Sequence, residues 1–171
     1  MELIEGLLTR RSVRLYDPNQ KVDSALIGQI LNAAMHAPSA MNKQPWHFIV
    51  VDKPEMLQKL MNVHPYAAFL KEAGTAIVLC TDEKQAYDGF GPTDACLAGQ
   101  NILLAAHGLG LGTCWCGVYP DKKKMTDFAK VLNLPENVLP IALIALGYPA
   151  ESPIQPENRY QSAKIHANTW D

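Results

Sequence analysis

The sequence predicts one domain that mixes helices and strands, and three observations carry that expectation. Four short runs, "WHFIVV", "AIVLCT", "TCWCGV" and "VLPIALIAL", are rich in strand formers and hold no Asp, Glu, Lys or Arg. Segments between them repeat apolar residues at helical spacing. The chain has 171 residues, 48% hydrophobic and 19% charged, enough for one buried core and not two.

Taken in order, Leu3, Leu7 and Leu8 predict a short first helix that ends near Arg10. "YDPNQ" breaks the chain at Pro18 and Asn19. Asp23 is placed to N-cap a second helix with apolar positions Leu26, Ile27, Ile30, Leu31 and Ala34, stopped by Pro38. A strand over Trp46–Val51 lies between Pro45 and Pro54, and a helix over Glu55–Asn62 follows. Ala76–Thr81 reads as a buried strand, and Thr93–His107 as an apolar helix. "TCWCGV" and "VLPIALIAL" are further strands around a helix near 121–132, and Pro140 predicts an edge, a bulge or a later strand start. After Gly147 the chain carries three prolines and scattered Ile154, Tyr160, Ile165 and Trp170. That pattern suits an arm lying on another surface.

The uncharged window from Ala95 to Gly112 contains Gln100, Asn101, His107 and four glycines, so it reads as a helix buried in protein and not as a membrane span. A helix apolar nearly all round needs cover on every side. Ala98, Gly99, Ala105 and Ala106 permit close packing, and with the arm they point to a homodimer. The net charge of -2 argues against a general nucleic-acid or membrane-surface binder. The N-terminal "MELIEGLLTRR" lacks the apolar run of a secretory signal. Cys80, Cys96, Cys114 and Cys116 then read as reduced thiols in a cytoplasmic protein. On a strand Cys114 and Cys116 share a face, but no second close pair completes a metal site, so no metal is expected.

Three segments carry candidate chemistry. "RRSVRLYD" concentrates Arg10, Arg11 and Arg14, whose guanidinium forks match phosphate oxygens, and Ser12 adds a hydroxyl. Alone, a solvated charge run explains it slightly better. "HAPSAMNKQPWHF" combines small residues with Asn42 and Gln44, which donate and accept as a pyrimidine-like edge requires. Loop stabilisation is the plainer role for either amide. "GLGLGTCWCG" allows tight turns and exposed N–H groups beside a flat ligand, yet it is neither a dinucleotide fingerprint nor a P-loop. His36, His47, His64, His107 and His166 read as structural or exposed and not as catalysts.

With "RRSVRLYD", "APSAMNKQPWHFIVV", "DACLAGQNILLAAHGLGLGTCWCG", "ALGYPAE" and the closing "KIHANTW" in this order, the chain resembles the short members of the FMN-dependent nitroreductase family. The resemblance implies an α+β fold with a central, mainly antiparallel sheet flanked by helices. It implies one domain over 1–171, with 150–171 as an arm on the partner of an intertwined homodimer, and FMN at the subunit interface. By position, Arg10, Arg11, Ser12 and Arg14 correspond to FMN phosphate and ribityl contacts. Pro38, Ser39, Ala40, Asn42 and Gln44 would line the ring from the partner, Thr113, Cys114 and Trp115 would run beside it, and Arg159 and Lys164 would add phosphate contacts. Asp94, Gln100 and Asn101 fall to helix and dimer structure. The implied activity is ping-pong hydride transfer from NADH or NADPH through flavin N5 to a nitroaromatic, quinone or similar small acceptor, with the chemistry residing in the flavin. A non-catalytic FMN-binding or FMN-delivery module, or a relative acting on flavin itself, is the alternative. The short "NVHPYAAFLKEAG" leaves room for only a small lid.

Overall fold

In the computed structural model, which describes residues 1–151 and 158–170, four strands form one antiparallel sheet in the order β1-β2-β4-β3. They are β1 (Trp46–Val51), β2 (Thr75–Asp82), β3 (Gly112–Gly117) and β4 (Val138–Gly147). Six helices flank it: α1 (Leu3–Thr9), α2 (Ser24–Met35), α3 (Pro54–Val63), α4 (Leu70–Ala73), α5 (Gly91–Gly108) and α6 (Lys122–Leu132). The fold is α+β.

Both faces of the sheet are covered, which explains why β2 is buried continuously from Thr75 to Thr81. Ala76, Val78 and Cys80 turn to one face, beneath Leu57 and Leu60 of α3, Leu70 of α4 and Phe128 of α6. Ile77 turns to the other, where Ile30 and Ala34 of α2 meet Ile102 and Ala106 of α5. Asp23 caps α2 as its side chain predicts, accepting from the Ala25 N–H at 2.7 Å.

Pro140 sits in β4, an inner strand, and the bulge is the reading that holds. The register with β2 shifts between Leu79 and Cys80, which face Ala142 and Pro140, so Ile141 is the extra residue. Its carbonyl is used elsewhere, accepting from the Val118 and Tyr119 N–H groups at 3.0 Å each. The proline thus removes a donor where the ladder already opens.

Two groups of residues singled out in the sequence have different surroundings. The small residues of α5 serve this chain's own packing: a Cβ on Gly99 would lie 2.4 Å from the Trp115 ring, Ala98 and Ala106 are buried, and Asn101 donates to the Ala33 carbonyl of α2 at 3.0 Å. The first helix, by contrast, leaves its leucines in the open, with Leu3 71% and Leu8 64% exposed and only Gly6 buried. The described part of the tail is exposed throughout, with a single turn at Ser162–Lys164; Ile154 lies outside the described residues. No described helix is long and apolar enough to cross a membrane.

Candidate functional site

Sheet order makes β3 an edge strand, and the segment after α1 runs along its start. Ser12 bridges Thr113, and the Val13 N–H donates to the Thr113 carbonyl at 2.9 Å. Close approach requires Gly112: a Cβ there would sit 2.9 Å from both Cβ and Cγ1 of Val13. Because Val13 Cβ is fixed to the backbone, side-chain rotation gives no relief. Gly112→Ala is therefore expected to cost about 1–3 kcal/mol, read as a lower thermal midpoint; an unchanged midpoint would contradict this packing.

Beyond Thr113 the edge is open. An antiparallel strand turns the N–H and C=O of alternate residues to the same side. Thr113 turns its carbonyl outward to Val13, so Trp115 and Gly117 present theirs to the same edge. Gly117 bears this out by accepting from His64 Nε2 at 3.1 Å, which also fixes the proton on that nitrogen. A cavity of about 240 Å³ opens here, walled by Tyr66 and Phe69 and bordered by Arg14, Lys124 and residues Cys114 to Gly117.

Cys114 and Cys116 are buried on one face of β3. A hydrogen bond from the Cys116 thiol, helped by Arg14 and Ser12 against burial, lowers the Cys114 pKa to about 7. Cys116, donating and buried, moves the other way. Tyr16, whose hydroxyl donates to the Val13 carbonyl at 2.7 Å, is also raised by burial. These shifts describe one polar seam under Arg14.

At the other end of the seam lies the arginine cluster. Burial, with Arg11 and Arg159 close by, lowers the Arg10 pKa. Neither ion pair among the described residues includes an arginine. His107 joins the group through Thr9, whose hydroxyl donates to the Glu5 carbonyl and lies 2.8 Å from His107 Nε2. Burial, then Arg10 and Arg11, hold that imidazole below its ordinary pKa. Arginines that form no ion pair among the described residues, beside strand N–H groups, are suited to a polyanionic oxygen ligand such as phosphate.

The three arginines are not equivalent. Arg11 Nη1 donates to the Leu8 carbonyl at 3.0 Å and the Arg10 carbonyl at 2.6 Å, so it closes the end of α1. Arg10 faces the cluster and Arg14 the cavity. Arg159 lies near Arg10, whereas Lys164 stands exposed in the tail's single turn.

The loop with Pro38, Ser39, Ala40, Asn42 and Gln44 lies elsewhere. It leads into β1 at Trp46, which pairs with Thr81, at the sheet end opposite Gly112. It is tethered near the start of α5, where Asp94 Oδ1 accepts from the Ala40 N–H at 3.0 Å, while His107 marks the far end of that helix. Thirteen residues at 1.5 Å each put these ends about 20 Å apart. Within the loop Gln44 N–H donates to Ser39 Oγ, and Gln44 Nε2 to Asn42 Oδ1 at 2.8 Å, leaving both amides exposed. One chain therefore brings Arg10, Ser12, Arg14, Thr113, Cys114 and Trp115 together and leaves residues 38–44 apart.

Sequence reasoning did not assign His64, Tyr66, Phe69 or Lys124 to this cavity, whereas Gly117 closes the glycine-rich segment it singled out. The signal that could have found them is the turn after α3 and the first turn of α6, both of which must pack over the face of β3 that carries Cys114 and Cys116.

Comparison with known proteins agrees with this geometry. The sequence profile of the nitroreductase family matches residues 7–64 and 53–148. A Methanothermobacter thermautotrophicus protein provisionally named an NADH dehydrogenase/NAD(P)H nitroreductase is 45% identical over 99% of this chain and 88% of its own length. A Parabacteroides distasonis crystal structure under the same provisional name superposes with a TM-score of 0.93 at 36% identity, covering 98% of each chain. A structure described as an FMN-dependent nitroreductase from Clostridium difficile gives a TM-score of 0.88 at 32% identity, covering 97% of this chain and 99% of that one. The free-edged β3, the arginine cluster and these relatives together identify the chain as a member of the nitroreductase family.

Proposed function

We propose that this chain is an FMN-dependent NAD(P)H oxidoreductase that works as a homodimer, each flavin site being shared between subunits. The observation that carries the reading is the run of arginines, without an ion-pair partner among the described residues, along the open edge of β3. It matches an elongated ligand with phosphate at one end and a flat polar ring at the other. The names of relatives, an FMN-dependent nitroreductase and an NAD(P)H nitroreductase, support the same ligands.

The residues fit that group. Arg10, with Arg159 and Ser12, holds the phosphate, and Lys164 adds charge from the tail; Arg11 steadies the end of α1 beneath them. Arg14 sets positive charge against the polar side of the ring. Trp115 and Gly117 would offer edge N–H groups to it, with Phe69 and the exposed Tyr66 on the opposite wall. Bound FMN supplies the redox chemistry, accepting hydride from NAD(P)H and passing reducing equivalents to the acceptor. No side chain is required as nucleophile or general acid. With the flavin held there, donor and acceptor would each be served in turn, a ping-pong order.

The second subunit completes the site. Pro38, Ser39, Ala40, Asn42 and Gln44, at the opposite end of α5 from His107 and the arginines, reach the ring bound by the partner. The exposed apolar residues favour such a partner: Leu3, Ile4 and Leu8 on α1, and Ile165 and the 82% exposed Trp170 on the tail, are large patches for a monomer. Of the arm over 150–171, the described residues 158–170 pack on the second subunit in this reading, and 152–157 and 171 lie outside the described residues. Purified protein is expected to consume NAD(P)H faster when a nitroaromatic or quinone is added. Stoichiometric FMN with no turnover across a panel of such acceptors would reject the enzyme and leave a flavin carrier.

A further inference from the structure

We propose that Asp94 is a positioning residue that acts through the Ala40 N–H to hold the 38–44 loop in the shape that meets the partner's flavin ring. The inference rests on the shared-site reading above.

The loop does not hold this shape by its own preferences. Met41, Asn42 and Gln44 have φ of 52°, 54° and 50°, a left-handed backbone that non-glycine residues adopt at a cost and keep only when their surroundings enforce it. Local bonds within the loop, Gln44 to Ser39 and Asn42, link its residues to one another without fixing the loop to the body. The bond from Ala40 N–H to Asp94 Oδ1, spanning 54 residues of sequence, is what ties it to α5.

Asp94 is suited to that task by its burial. It is 2% exposed, and its Oδ2 finds no partner among the described residues. A buried carboxylate is costly unless something compensates it. Here the compensation is the first turn of α5, where the helix dipole favours negative charge, together with the Ala40 N–H. The carboxylate is therefore anchored by the helix, and the loop is anchored by the carboxylate. Asn42 and Gln44, exposed and paired with each other, are the groups so presented.

Two substitutions break the tether from opposite sides. Asp94→Ala removes the acceptor. Ala40→Pro removes only the donor: Ala40 opens a short 3-10 turn where proline is tolerated, and Ser39 at φ -143° and ψ 153° already has the extended backbone that precedes proline. Asp94→Asn keeps an oxygen able to accept.

The test titrates refolded apo-protein with FMN and with riboflavin, which lacks the phosphate. Each tether-breaking variant is expected to bind both ligands about tenfold more weakly, since the loss lies on the ring side. Asp94→Asn is expected to stay within about twofold of wild type, and the double variant to be no weaker than either single one. Wild-type affinities in both tether-breaking variants, or a double variant whose loss is the product of the two, would overturn the proposal. A wild-type chain that takes up neither ligand would sink the flavin reading itself, a distinct failure.

Discussion

Arg10→Ala is expected to yield folded protein that has lost its FMN but still binds riboflavin. Arg10 is half-buried, with two further arginines close enough to lower its pKa, and none of the three forms an ion pair among the described residues. A phosphate seated there would receive charge-assisted bonds, each worth about 1.5–3 kcal/mol. Losing one such group weakens FMN roughly tenfold to a hundredfold. Riboflavin has no phosphate, so its affinity should barely move. Arg14→Ala makes the contrast, because Arg14 borders the cavity beside Cys114 and Trp115 and should weaken FMN and riboflavin alike. Arg11→Ala should act mainly on the end of α1, through the carbonyls of Leu8 and Arg10. Unchanged flavin content in both Arg10→Ala and Arg14→Ala would show that the cluster is a solvated charge run.

A mixed dimer separates a shared site from one contained in a single chain. Consider a subunit carrying Arg10→Ala joined to one carrying Asn42→Ala. If the arginines of one chain meet the 38–44 loop of the other, both lesions fall on one site and the second site is intact. The mixed dimer should then bind one FMN with wild-type affinity and keep about half the wild-type turnover. If each site were built from one chain, both sites would carry a lesion and none would be intact. The separation of loop and cluster along α5 and across the sheet is what makes the first outcome the expected one.

Much of the fold was legible because local signals coincide with tertiary ones. Trp46–Val51 has the limits that its flanking prolines predict, and Asp23 caps α2 through its own side chain. Pro140 was ambiguous because a proline's missing donor suits an edge and a bulge equally; only the pairing of Leu79 and Cys80 across β2 and β4 decides for the bulge. That the Trp115 ring comes to Gly99 within the chain is not legible in the small residues of α5, which suit any close packing. At the site, Arg10 and Arg14 stand out because charge is scarce around them. Arg11 does not betray its capping role, which depends on where α1 ends. His64, Tyr66, Phe69 and Lys124 were invisible for a similar reason: their place at the cavity comes from long-range packing of α3, α6 and β3. Asp94 opens a motif that the sequence assigns to helix and dimer structure, and its tie to the 38–44 loop shows only in the bond from the Ala40 N–H.

The central claim is tested most directly by the visible absorbance of the purified protein before and after NADH or NADPH is added without oxygen. The account predicts a yellow protein, about one flavin per chain, whose colour is lost within the time of mixing and returns when a quinone is admitted. A colourless preparation that also fails to take up added FMN, or bound flavin that keeps its colour with both NADH and NADPH, would contradict it.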